Sequence, residues 1–284
     1  MKNLLLFVIP LLINFSANAQ SQQYVAAENG LFTRVSPDRG ARSLMKLNYG
    51  TKVEIIERTG LRLDILDGGE KVSGEWVRVN AYTPYDLVQG YVFDAYLTAE
   101  VLEPTSVVNF ENITLTFHNL ELWETESQSW EAKQNKIKYY TELGVTPENK
   151  KITINVKIPY KRLAIYQAYE TSVSIMNEGP HCDLLDWKHF HSTWIPIKYE
   201  ADHYFTLGYD QKDWTKFVPF EIEELKAEVR EHCGEEYLRL IENPEGSNSA
   251  ASISISTIYI KIVMIDMNDN PIERIIAFEI PMGC

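Results

Sequence analysis

Gln89-Gly90-Tyr91-Val92-Phe93-Asp94-Ala95-Tyr96-Leu97 decides how the N-terminal part of this chain is read. Gly90 to Phe93 is a short apolar and aromatic run of the kind that forms a strand. Working outward, Trp76 to Asn80, Thr51 to Arg58, Met45 to Leu47, Leu31 to Arg34 and Tyr24 to Ala27 carry the same signal. The segments between them are turn punctuation. Ser36-Pro37-Asp38, Asn48-Tyr49-Gly50 and Asp67-Gly68-Gly69 each supply residues that fix a turn or accept a positive φ. No helix of ordinary length fits before Leu102, so residues 20–103 are expected to form a small antiparallel β-barrel.

The order of these pieces resembles the bacterial SH3-like (SH3b) domain. Leu31-Phe32-Thr33-Arg34-Val35-Ser36-Pro37 is similar to its Leu-x-x-Arg-x-x-Pro opening, and Leu47-Asn48-Tyr49-Gly50-Thr51-Lys52-Val53 to its Leu-x-x-Gly-x-x-Val turn and strand. Glu75-Trp76-Val77-Arg78-Val79 is similar to the Trp-x-x-Val strand, and Gln89 to Leu97 to the closing Gly-Tyr/Trp-Val-x-x-x-Tyr-Leu segment. The resemblance implies a binding or targeting module of envelope proteins, often attached to cell-wall hydrolases and without catalysis of its own. Leu61 to Gly74 and Ala81 to Val88 are longer than the family usually has. Trp76 and Tyr91 fall where a barrel core needs bulk. Tyr82, Tyr85 and Tyr96 are the aromatic residues expected to line a ligand cleft.

Lys2, the apolar run Leu4 to Leu12 and Ala17-Asn18-Ala19 have the layout of a cleaved signal peptide over residues 1–19. The run is too short to span a bilayer, which takes about 20 residues. No Cys follows it that could carry a lipid. The chain is therefore expected in the periplasm or outside the cell, with no membrane span. A formal charge of −13 argues against nucleic acid as a partner, because phosphate binding rests on Lys and Arg neutralisation.

Glu103-Pro104-Thr105-Ser106 reads as a linker into a second, β-rich unit over residues 104–284, sandwich-like or α+β. Its strands are expected at Ile113 to Phe117, Ile152 to Ile158, Leu163 to Met176, Thr193 to Tyr199, Ser252 to Asp266 and Ile272 to Ile280. Helices are expected at Phe220 to Ile241, from the stripe Ile222, Leu225, Val229, Cys233, Tyr237 and Leu240, and more weakly at Trp130 to Leu143. No family resemblance covers this half.

Export allows disulfides to persist, and three cysteines permit three single pairings. Cys182 with Cys284 is the pairing expected here, since Cys233 lies on an apolar helical stripe where a buried thiol is ordinary. His181-Cys182-Asp183, Asp186, His189 and His191 crowd one short loop. His189 and His191 would share a face in a strand and could hold zinc, but four convergent ligands are not identified. Cys182 with His181 or His189 would be the machinery of a cell-wall hydrolase of cysteine peptidase or amidase type. The helix-start motif of such peptidases is absent, and Asp183 and Asp186 oppose a thiolate.

Asp266, Asn268 and Asn270 stand in a string similar to the calcium linker of cadherins, yet Asn and Asp there also suit a hairpin turn. Ser43-Leu44-Met45-Lys46 fits a penicillin-binding spacing but precedes a strand rather than opening a helix. The chain thus reads as an exported, non-catalytic binding protein that takes a peptide, a protein or a peptidoglycan fragment. No cofactor is implied. Pairing through an open sheet edge is a third reading.

Overall fold

The computed structural model describes residues 21–83, 87–124, 135–176, 181–242 and 251–281. The expected signal segment, Tyr85 and Cys284 lie outside them. Strands dominate, as the periodicity predicted, and the helices are short.

The first unit contains β1 (Ser21–Val25), β2 (Leu31–Arg34), β3 (Ser43–Leu47), β4 (Lys52–Asp67), β5 (Glu70–Tyr82), β6 (Leu87–Phe93) and β7 (Leu97–Thr98), with a 3-10 turn at Asp94–Tyr96. They form one sheet in the order β3-β2-β6-β5-β4-β1-β7. Strands from both ends of that order, together with its middle, contribute to a single cluster of Val25, Leu47, Val53, Val77, Val79 and Val92, so the sheet curls around its own core. Only alternate residues of a strand can reach such a core. On β5 these are Val77, Val79 and Ala81. Trp76 is buried, as expected, at 6 % exposure, but on the opposite face of β5, against Phe93 and outside this cluster, and Tyr91 is half-buried opposite Arg78 on that same face.

Gly68 and Gly69, at positive φ of 56° and 90°, close a long hairpin in which β4 and β5 pair from Val53 with Ala81 out to Asp67 with Glu70. The stretch from Leu61 to Gly74 is therefore an extension of the ladder.

The second unit stacks two sheets. One has the order β17-β18-β12-β9-β8, made of β8 (Thr105–Asn109), β9 (Ile113–His118), β12 (Lys151–Val156), β17 (Tyr199–Glu200) and β18 (His203–Phe205). The other runs β10-β11-β20-β19-β13-β14 and also holds β15 and β16 against β13. Its strands are β10 (Trp123–Glu124), β11 (Lys136–Tyr140), β13 (Tyr160–Ile175), β14 (Cys182–Leu184), β15 (Phe190–His191), β16 (Ile195–Ile197), β19 (Ala251–Asp266) and β20 (Pro271–Glu279). Ile113, Leu115 and Phe117 of β9 interlock with Ile258, Ile260 and Ile262 of β19 and Phe278 of β20. The Phe117 and Phe278 rings meet edge to face at 5.2 Å.

Two helical expectations are corrected. Lys136–Tyr140, inside the weaker predicted helix, is strand β11, paired in parallel with Ile275 to Glu279. Ile137, Tyr139 and Tyr140 are β-branched or aromatic and suit a ladder, so pairing with β20 outweighs a thin helical stripe. The longer helix is interrupted. After α1 (Gln211–Trp214), α2 (Ile222–His232) stops at Gly234, whose φ of 101° no helix continues, and α3 (Leu238–Glu242) resumes after a 3-10 turn.

Leu225 and Val229 of α2 pack on Val173, Ile175 and Leu184 at one end of the larger sheet. That same stripe carries Cys233 to Cys182, and the two form a disulfide with Cα atoms 5.7 Å apart. The expected partner Cys284 is thus replaced by Cys233, because the helical face that buries Cys233 is also the face that meets β14.

The two units are in contact. Trp123 of the second unit joins the core of the first and is 5 % exposed. Asn48 donates from Nδ2 to the Leu122 carbonyl at 2.8 Å, and Thr105 N–H donates to the Tyr49 carbonyl at 3.0 Å. At Gly50, φ +82°, a Cβ would lie 2.6 Å from the Pro104 backbone, so only glycine permits the approach. Between these contacts the Thr51 hydroxyl donates to the Glu121 carboxyl. Burial there pushes Glu121 up to about 7.

Candidate functional site

The β4–β5 ladder outruns the curled sheet, and its overhang makes one wall of a groove. Leu63 and Ile65, at alternate positions of β4, turn the same way and stay half-buried, whereas Leu66 points off at 80 % exposure. The overhang is anchored at its tip and at its root. At the tip Tyr96 donates its hydroxyl proton to the Asp67 carboxylate, which raises the Tyr96 pKa. At the root Arg58 bridges Glu75 at 2.7 Å and Asp94 at 3.1 Å. Asp94 also accepts from the Glu75 N–H at 2.7 Å. The Arg58 guanidinium holds the Glu75 carboxyl below the usual carboxylate range.

Gly74 lets these strands close up. A Cβ there would fall 2.6 Å from Asp94 Oδ1 and 2.9 Å from the Phe93 ring.

The groove floor is Trp76 and Phe93, paired across β5 and β6 with ring centroids 6.4 Å apart, and Tyr96, whose ring meets Phe93 edge-on at 5.9 Å. Leu31 and Phe32 of β2 face the hairpin wall across a volume of about 180 Å³. Arg34 and Arg39 stand at the rim. Arg34 is fixed by the Ala41 carbonyl at 2.6 Å and lies 6.0 Å from the Phe32 ring. Neither arginine has a carboxylate partner among the described residues. From Arg34 to Lys46 the chain holds Arg34, Arg39, Arg42 and Lys46 against Asp38 alone, a positive rim on an acidic protein. An apolar aromatic floor with a few oriented cations is what a small-ligand site requires.

Of the tyrosines singled out by sequence, Tyr96 lines this groove. Tyr82 lies six residues beyond Trp76 along β5, roughly 20 Å away at strand rise, and is 57 % exposed. Tyr85 lies outside the described residues. Trp76, Phe93 and the hairpin residues Leu63 and Ile65 were missed as site residues. Strand alternation was the available signal, since it separates Trp76 from Val77 and Val79.

The His181 to His191 loop distributes its groups. Cys182 is held in the disulfide and 1 % exposed, so its sulfur is no thiolate. His189 Nε2 lies 3.0 Å from Glu170 Oε1. His191 Nδ1 contacts the Ser192 carbonyl at 2.7 Å, and its ring stacks on Tyr259 at 5.5 Å. His181 is half-buried, its Nδ1 without a partner among the described residues. No group of three or more His, Cys, Asp or Glu side chains converges among the described residues.

Asp266 turns inward on its own hairpin. Its Oδ1 accepts from the Asn268 and Asn270 N–H groups, both at 2.8 Å, and its Oδ2 from Asn270 Nδ2 at 3.0 Å. Those bonds hold Asp266 below the usual carboxylate range. The carboxylate that calcium would need is committed to the turn.

Compared with known proteins, the chain matches no protein-family model and no curated protein. No helix among the described residues is long and apolar enough to cross a membrane.

Proposed function

We propose that this chain is an exported, non-catalytic binding protein of the bacterial envelope, and that its first unit takes a short peptide bearing a carboxylate. The observation that carries the reading is the groove over Trp76, Phe93 and Tyr96 with Arg34 and Arg39 at its rim. An extended peptide would lay apolar side chains on the rings, and its carboxylate would meet a guanidinium that offers paired donors. The signal-like N-terminus and the Cys182–Cys233 disulfide support an oxidising compartment. A wall stem peptide fits this chemistry, being short, extended and rich in carboxylates. The resemblance of the first unit to SH3b modules points the same way.

The test is a titration of the full chain with synthetic sugar-free stem peptide, followed by tryptophan fluorescence. Binding should weaken by about 2 kcal/mol or more in Trp76→Ala, the usual scale for a central aromatic contact. Binding that is absent, or equal in Trp76→Ala and in Arg34→Ala, defeats the proposal.

A further inference from the structure

The outer face of the larger sheet carries a second arrangement, remote in sequence from the groove. Alternation along β13 turns Arg162, Ala164 and Tyr166 away from the sandwich core, and the register opposes them with Ile265, Val263 and Lys261 of β19. Because Ala164 is small, Val263 and Ile265 floor a hollow of about 130 Å³ with Tyr166 and Arg162 as its walls. Beyond Tyr166 the face becomes aromatic. Lys261 Nζ sits 5.5 Å from the Tyr166 ring and 4.2 Å from the Trp194 ring, and Trp194 meets Tyr259 at 6.4 Å.

Of the carboxylates on this face, Glu170 and Glu279 are engaged, Glu279 by Lys138, whereas Glu273 stands exposed opposite Val263. Glu170 accepts the Tyr259 hydroxyl proton and faces His189. Lys261 and Arg162 have no carboxylate partner among the described residues. They flank the hollow, with Arg162 and Tyr166 roughly 13 Å apart along the strand. The site is therefore aliphatic in the middle, with Arg162 at one end, Lys261 and the rings of Tyr166, Trp194 and Tyr259 at the other, and Glu273 beside the floor, on a chain of formal charge −13.

We propose that this face binds an acidic saccharide, a pyranose ring bearing a carboxylate. The electropositive C–H faces of a sugar match the negative faces of tyrosine and tryptophan rings. The sugar carboxylate would supply the counter-charge that Lys261 and Arg162 lack, next to apolar surface that strengthens the pairing. A peptide adding as a strand is disfavoured at β19, which has ladder partners on both sides, and along β13 from Ile165 to Gln167, where β16 is paired; Arg162 to Ala164 pair with β19 alone among the described residues. Two cations on an acidic chain do not hold a phosphate backbone. This proposal is independent of the groove, since it uses neither Trp76 nor Arg34.

The experiment is calorimetric titration of the full chain with tetragalacturonate, its neutral methyl-ester form, and sugar-free polyglutamate. Tetragalacturonate should bind at least about tenfold more tightly than either comparator, and added salt should weaken it. Lys261→Met keeps the stem against the rings and removes only the charge. It should reduce affinity about tenfold, as should Trp194→Ala, while Trp76→Ala leaves it unchanged. Should Trp194→Ala fail to fold, Lys261→Met and Arg162→Met decide the matter. Absence of binding, equal binding of the neutral ester, equal binding of polyglutamate, or indifference to both charge-removing variants overturns the proposal.

Discussion

Replacing Glu121 by Gln should make the protein more stable at alkaline pH and remove part of its pH dependence. Glu121 lies where the two units meet, with its carboxyl accepting from Thr51 and with Glu142 adding negative potential. Burial raises it from 4.5 to about 7, so the native state favours the protonated acid. Below the unfolded value both states are protonated and the group contributes no penalty. Between that value and about 7 the unfolded chain ionises first, and stability falls as pH rises. Above about 7 the penalty is complete.

A displacement of that size corresponds to about 3 kcal/mol. Because Glu121 retains some exposed surface, screening reduces the expected effect to about 2 kcal/mol. Gln keeps the acceptor for Thr51 and cannot ionise. Urea unfolding at pH 4.5, 6, 7 and 8.5 should therefore show the variant equal to the parent at the acid end and about 2 kcal/mol more stable at the alkaline end. Comparing the pair cancels carboxylates of opposite slope, such as Glu75 and Asp266, which lie below their usual values. A difference that stays constant across this range, or that grows toward acid, refutes the assignment of the pH dependence to Glu121.

Trp123→Ala should destabilise the first unit by about 3–5 kcal/mol, the cost of emptying a large aromatic from a core. Trp123→Phe should cost much less, because the indole Nε1 has no partner among the described residues; equal losses by thermal melts would contradict this. Replacing Cys182 and Cys233 together by Ala should cost up to about 4 kcal/mol from loop closure alone, read from urea curves against the 51-residue separation. Mass spectrometry of unreduced peptides should find Cys182 joined to Cys233 and not to Cys284. Gly74→Val should displace Phe93 and narrow the groove, lowering stability and stem-peptide binding together, whereas tetragalacturonate binding stays as it was.

Turn chemistry and period-two patterning made the first unit legible before any coordinates, since Asp67-Gly68-Gly69 announces a hairpin and Gly90 to Phe93 a strand. Trp76 is buried as its size suggested, while its position relative to Val77 and Val79 puts it on the other face, beside Phe93. The helix expected from Trp130 to Leu143 failed where β11 found β20, a long-range pairing with no local trace. Cys233 was judged correctly as a stripe residue, but the stripe could not say which cysteine it would meet. Of the sites, Tyr96 was recoverable as an aromatic loop residue. The groove wall required knowing that Leu61 to Gly74 continues a ladder, and the Lys261–Trp194 contact depends on register between strands far apart in sequence.

The parallel pairing of β11 with β20 sets an order of events during synthesis. Lys138 meets Glu279 only 141 residues later, so the larger sheet must wait for nearly the whole chain to emerge. The first unit closes its ladders within residues 21–98 and can collapse early, with its Trp123 seat still vacant. Such late, non-local closure is slow and leaves β13 and β19 edges uncovered meanwhile. A chaperone that shields those two strands until β20 arrives would raise the yield of folded protein more than one acting on the first unit.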